Sequence, residues 1–138
     1  MTPPYPTLLV THRGYGEGLL AAAEAILGAR PEIDHLSNEG MSPEALLGAI
    51  ETWLDAHASP AIVLTDLVFG SCAQSSRLAT RNRPDSIVVA GVSLPMILAL
   101  LRSRDHGDVR TMLQHLRQRT QESVCVFVGG QPLEEKPS

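Results

Sequence analysis

No stretch of this 138-residue chain is apolar for the length of a bilayer, and its start lacks the basic-then-apolar order of an export signal. A cytoplasmic protein with no direct membrane insertion is expected. Aromatic residues make up only 4%, too few for the stacking platforms of a single-stranded nucleic-acid binder, so no nucleic-acid partner is expected. The two cysteines, Cys72 and Cys125, stand 53 positions apart with no C-x-x-C spacing. Without an export signal they do not call for a structural disulfide. No H-x-x-x-H pair offers a zinc site, and no G-x-x-x-x-G-K-[ST] loop offers a nucleotide site. Gly14, Gly16 and Gly18 miss the dinucleotide spacing. Internal repeats and low-complexity segments are absent. Neither a metal nor a cofactor is expected.

What is present is globular. Hydrophobic residues are 43% and charged residues 19%, and the length suits one compact domain, here residues 1–130 followed by a polar tail over 131–138. The net charge of −4 is unevenly spread. Residues 1–70 hold two basic and nine acidic side chains, net −7, and residues 71–138 hold nine basic and six acidic, net +3. The basic half reads as a solvated face.

Strand and helix signals alternate. Thr7–Thr11 is an apolar run, and Glu17–Leu27 has apolar residues at helical spacing up to Gly28. Ile33–Leu36 is a short strand. Ser42-Pro43-Glu44 supplies a hydroxyl cap, a proline at the first helical position and a carboxylate at the positive dipole end. Leu46, Leu47, Ile50, Trp53 and Leu54 then share one face, with Trp53 read as packing. Ala61–Thr65 is apolar throughout, as a strand buried on both faces must be. A helix over Cys72–Arg81, a strand over Ser86–Ala90, a helix from Pro95 to Arg102, a helix capped by Asp108, and a last strand over Val124–Val128 follow. This order implies an α/β fold: an open, mostly parallel, doubly wound sheet with helices on both faces.

Chemistry in such a sheet collects beyond the carboxyl ends of the strands. The first strand ends in His12. The third ends in Asp66, and Gly70-Ser71 then opens a helix whose free N–H groups suit an anion. A carboxylate that accepts a proton from one imidazole nitrogen fixes the tautomer and frees the other nitrogen to attack. His35, His57, His106 and His115 read as ordinary residues in a strand, near a helix end, in a loop and in a polar helix.

These residues resemble the IIA domain of the mannose-type sugar phosphotransferase system over Leu8 to Val128. The resemblance rests on Leu9-Val10-Thr11-His12 with Gly16-Glu17-Gly18-Leu19-Leu20, on Ser42-Pro43-Glu44, on Leu64-Thr65-Asp66-Leu67 with Gly70-Ser71, and on Ala90-Gly91-Val92-x-Leu94-Pro95-Met96. It implies that His12 accepts a phosphoryl group from the phosphocarrier HPr and passes it to a histidine of a IIB component. It implies that Asp66 orients His12 and that Ser71, with Gly70, lies at the phosphate. It also implies a homodimer in which the last strand, Val124–Val128, is exchanged.

The chain departs from that pattern beside the site. Arg13 and Phe69 stand where the family has glycine, Cys72 where it has proline, and Ser93 where it has asparagine. Arg13 is expected to add a phosphate contact, with obstruction of HPr as the rival reading. Two alternatives accompany the carrier reading: a regulatory IIA protein that reports phosphorylation without serving a permease, and a protein whose chemistry runs through Cys72, with its thiol acidified at a helix N-terminus.

Overall fold

The computed structural model describes residues 1–103 and 108–133. Five-residue strands β1 (Thr7–Thr11) and β3 (Ala61–Thr65) are buried at every position. They run side by side and parallel, with Val10 level with Thr65. β2 (Asp34–Ser37) pairs outside β1, and β4 (Ser86–Ala90) pairs outside β3, both parallel. The strand order is therefore β2-β1-β3-β4.

The period-2 alternation of the two central strands divides the core. Leu9, Ile62 and Leu64 face one way and pack with α1 (Tyr15–Leu27), α4 (Leu94–Arg102) and α5 (Val109–Glu122) through Ala23, Met96, Ile97, Leu100, Met112 and Leu116. Leu8, Val10, Ala61 and Val63 face the other way, onto α2 (Pro43–Asp55) and α3 (Ser71–Thr80), through Leu46, Ile50, Leu54, Cys72 and Ala79. The doubly wound expectation holds, and both faces are dry. Among the described residues, every buried side-chain nitrogen and oxygen has a hydrogen-bond partner.

Local signals set the helix starts. Ser42 Oγ accepts from the Ala45 N–H at 3.1 Å with Pro43 beside it, Ser93 Oγ accepts from Met96, and Asp108 accepts from Thr111. Cap formation favours the ionised form of Asp108, so the backbone N–H of Thr111 holds its carboxyl below the usual range. At the far end of α2, half-buried Trp53 donates from Nε1 to Asp34 at 2.7 Å and stacks on His57, ring centroids 4.2 Å apart.

The C-terminal segment differs from expectation. The apolar run Val124–Val128 is not a strand of the main sheet. Only Phe127–Val128 (β5) is extended and paired, antiparallel to Gln131–Pro132 (β6). Gly129 and Gly130, at φ 58° and 79°, form the kind of two-residue turn that joins a tight hairpin. Residues 131–132, expected in a tail, belong to that hairpin. Val124, Val126, Phe127, Val128 and Leu133 are all exposed. The expectations for His106 and for the end of the tail lie outside the described residues.

The packing ranks two substitutions. Leu9 is fully buried, so Leu9→Ala should cost about 2–5 kcal/mol of unfolding free energy. Ser42→Ala removes only a cap and should cost about 1 kcal/mol. Urea denaturation followed by circular dichroism reads both, and equal losses would contradict the assignment of the core.

Candidate functional site

β1 hands its chain to the β2 side of the sheet, and β3 hands its chain to the β4 side. The strand order reverses between them, and it is beyond the carboxyl ends at such a point that open α/β sheets take their ligands. His12 follows β1 and Asp66 follows β3. The Asp66 carboxylate draws the two ends together: Oδ2 accepts from the His12 backbone N–H at 2.8 Å and lies 2.8 Å from His12 Nδ1. Oδ1 accepts from the Leu67 N–H at 3.1 Å. An ionised carboxylate only accepts, so Nδ1 carries the ring proton and Nε2 keeps its lone pair. The Asp66 side chain is 9% exposed and that of His12 is 43% exposed. The base is anchored inside while the ring stays reachable.

The free side of the ring meets Gly70. A Cβ placed on Gly70 would stand 3.6 Å from His12 Cε1 and 3.9 Å from Nε2, and the residue has φ +114°, which side-chain-bearing residues rarely adopt. Gly70 caps α3, whose first turn thus begins beside Nε2. Ser71 Oγ accepts from Asn38 Nδ2 at 3.2 Å, and the Asn38 N–H donates to Thr11 O. Arg13 points elsewhere: its side chain is exposed and its Nε sits 3.3 Å from Glu39 Oε1. The structure therefore gathers His12, Asp66, Gly70 and Ser71 beyond these strand ends and leaves Arg13 in a surface ion pair.

Cys72 lies beneath the ring, 1% exposed, with Sγ 3.9 Å from His12 Nδ1. Burial, and then the charge of Asp66, push its thiol pKa up to about 11, against a weaker opposing hydrogen bond from Ser71. A helix N-terminus alone predicts the opposite direction. Desolvation wins because the sulfur is sealed against the α2–α3 face. Cys72 is a protonated thiol at neutral pH, so the geometry does not favour thiolate chemistry.

Contacts around these residues shape the site further. Thr11 Oγ1 donates to His12 O, accepts from the Gly16 N–H at 2.9 Å and lies 3.3 Å from His35 Nε2. A side chain at Gly16 would collide with the His35 ring, so glycine is required for α1 to start this close to β1. Tyr15 donates from its hydroxyl to Val92 O at 3.1 Å. That bond ties the loop after β1 to the loop after β4, whose Gly91 and Val92 N–H groups both donate to Thr65 O. The only advance signal for Asn38 is its place just past the carboxyl end of β2.

Residues 7–117 match the family model described as PTS system fructose IIA component. The chain belongs to that family. It is similar to the sorbose-specific EIIA component of the phosphotransferase system from Lacticaseibacillus casei, 28% identical over 83% of this chain and 85% of that protein. The mannose/sorbose specific IIA subunit from Enterococcus faecalis is 25% identical with a TM-score of 0.76, over 99% of this chain and 100% of that one. Phosphotransferase system component EIIA from Streptococcus agalactiae shares the fold, with a TM-score of 0.77 at 22% identity over 90% of this chain and 95% of that one. The chain is accordingly a IIA component of the sugar phosphotransferase system, with the transferase-type role of that class. No helix among the described residues is long and apolar enough to cross a membrane.

The two thiols of this IIA component should react very differently. Cys125 is exposed and Cys72 buried with a raised pKa. Iodoacetamide at neutral pH should modify Cys125 and spare Cys72 in the folded protein, read by mass spectrometry of the two peptides. Rapid labelling of Cys72 would overturn the burial argument and revive a thiolate mechanism.

Proposed function

We propose that this IIA component is a phosphocarrier: His12 takes a phosphoryl group from phosphorylated HPr and gives it to a IIB histidine. The observation that carries the reading is the double engagement of His12 by Asp66 Oδ2, which leaves Nε2 unprotonated beside the start of α3. Nε2 attacks phosphorus, the bond to the donor histidine breaks, and the ring becomes a phosphoimidazolium. Asp66 stabilises that cation through Nδ1–H. The first N–H groups of α3 and the Ser71 hydroxyl are positioned for the phosphoryl oxygens. Transfer to the IIB histidine reverses the sequence. Positioning two nucleophiles in line supplies most of the catalysis.

Arg13 fits the same scheme as a contact made on phosphorylation. Its pair with Glu39 is exposed and of the kind worth about 0–1 kcal/mol, so the guanidinium can leave it for a phosphate. The partners would meet a surface that is apolar and basic: Leu67, Val68 and Phe69 are exposed beside the site, and Phe69 and Gly70 border a depression with Arg77 and Arg81.

Labelling with radioactive phosphoenolpyruvate, enzyme I and HPr tests the carrier reading. One acid-labile phosphoryl group per chain is expected, lost in His12→Gln with the fold intact. Asp66→Asn should fold yet accept phosphate at least about 100-fold more slowly, because the tautomer is no longer held. Full labelling of His12→Gln would reject the assignment.

The same reading includes a homodimer with the C-terminal segment exchanged. β4 is a half-buried edge strand, and the apolar segment from Val124 to Leu133 is exposed in the isolated subunit; both features would be relieved by a second copy. Sedimentation at micromolar concentration should give a dimer, and truncation before Ser123 should give monomer or aggregate. A monomeric full-length protein would exclude the exchange.

A further inference from the structure

Beside the His12–Asp66 pair that the carrier reading uses lies a third donor that it does not use, Cys72. His12 Nδ1, Asp66 Oδ2 and Cys72 Sγ lie within 4.8 Å of one another. The nitrogen is 2.8 Å from the oxygen and 3.9 Å from the sulfur. They come from three different rigid elements, the ends of β1 and β3 and the first turn of α3, which is how a preorganised site is built. Four-coordinate zinc, with bonds of about 2.0–2.3 Å, sets such donors about 3.3–3.6 Å apart. Of the three gaps, the nitrogen–oxygen one must open by about half an ångström, the nitrogen–sulfur one close by a few tenths, and the oxygen–sulfur one, within 4.8 Å, close by up to about 1.3 Å, which rotation of the Cys72 and Asp66 side chains must supply. Imidazole, carboxylate and thiolate together select a borderline-soft cation over magnesium or calcium.

We propose that His12, Asp66 and Cys72 form a binding site for zinc-class divalent cations, and that its occupation switches the phosphoryl acceptor off. The second half rests on the carrier reading above. The balance is simple. The ion takes the Nδ1 lone pair, the ring proton moves from Nδ1 to Nε2, and the Cys72 proton leaves to solvent. One proton is released per ion. The cation is neutralised by two anionic ligands and a neutral imidazole, an arrangement suited to a half-buried site. With Nε2 protonated, no lone pair remains to attack phosphorus. Cys72 is what makes this possible, because neither proline nor any apolar residue at that position could complete the set.

Cobalt(II) is the probe, used with the full-length Cys125→Ser protein so that the exposed thiol does not contribute. One equivalent should produce a thiolate-to-cobalt charge-transfer band and tetrahedral visible bands, displaced by zinc. Both should vanish in Cys72→Ala and weaken at least tenfold in affinity in His12→Gln, with circular dichroism verifying the folds. Cys72→Ser, closer in volume, serves if the alanine variant unfolds. One equivalent of zinc should abolish phosphorylation by HPr in the parent and leave Cys72→Ala labelled at its metal-free rate. A missing band, or one that survives in Cys72→Ala and Cys72→Ser, overturns the site. A band with labelling indifferent to zinc overturns the switch. A band together with no labelling in chelator upholds the site and rejects the carrier reading instead.

Discussion

One carboxylate oxygen organises the working end of this molecule. Asp66 Oδ2 receives both the main-chain N–H and the ring N–H of His12, so it fixes where the residue starts and where its imidazole turns. Both partners sit at the ends of adjacent central strands whose register is set by four paired positions, Thr7 with Ile62 through Val10 with Thr65. Hydrogen bonds from main-chain N–H groups carry the constraint outward: Thr65 O accepts from two N–H groups of the loop after β4, and the Thr11 hydroxyl accepts from the Gly16 N–H at the start of α1. The loops can therefore change side chains, as at Arg13 and Phe69, without moving the imidazole.

The same oxygen sets the competition for the ring. A proton on Nδ1 suits Asp66 and leaves Nε2 nucleophilic. A metal on Nδ1 suits Asp66 and Cys72 together and leaves Nε2 blocked. The two states differ in which positive species sits among the three side chains, and with it in whether Nε2 and Cys72 carry a proton. Burial keeps the Cys72 thiol protonated until a cation displaces the proton, so the default favours the nucleophile.

Much of the fold was legible because its signals are local. Parallel strands buried on both faces read as unbroken apolar runs, as at Ala61–Thr65, and hydroxyl-proline caps mark where α2 and α4 begin. The last strand was legible in part for the same reason: within the apolar run Val124–Val128, Phe127–Val128 is extended and paired, and the Gly129-Gly130 turn that folds the segment back on itself sets where it ends. In the site, His12, Asp66, Gly70 and Ser71 were legible from strand ends and a helix start. Asn38, Tyr15 and His35 were not, since their contacts span 33, 77 and 24 residues of chain. Arg13 was placed by adjacency in sequence, but its neighbour Glu39 holds the side chain on the surface. The metal-ligand set escaped motif reading because its members are separated by 54 and 60 positions.

The stacked pair at the end of α2 has an optical consequence. Trp53 is the chain's one tryptophan, and its indole lies against His57 and bonds Asp34, the first residue of β2. That is the amino end of the sheet, opposite His12. His57 Nε2 also lies 3.6 Å from Asp34, so indole, imidazole and carboxylate form one partly exposed cluster there. The intrinsic emission of this protein is thus wired to the rear of the sheet, and a spectroscopist watching it would see packing changes there while events at His12 passed in the dark.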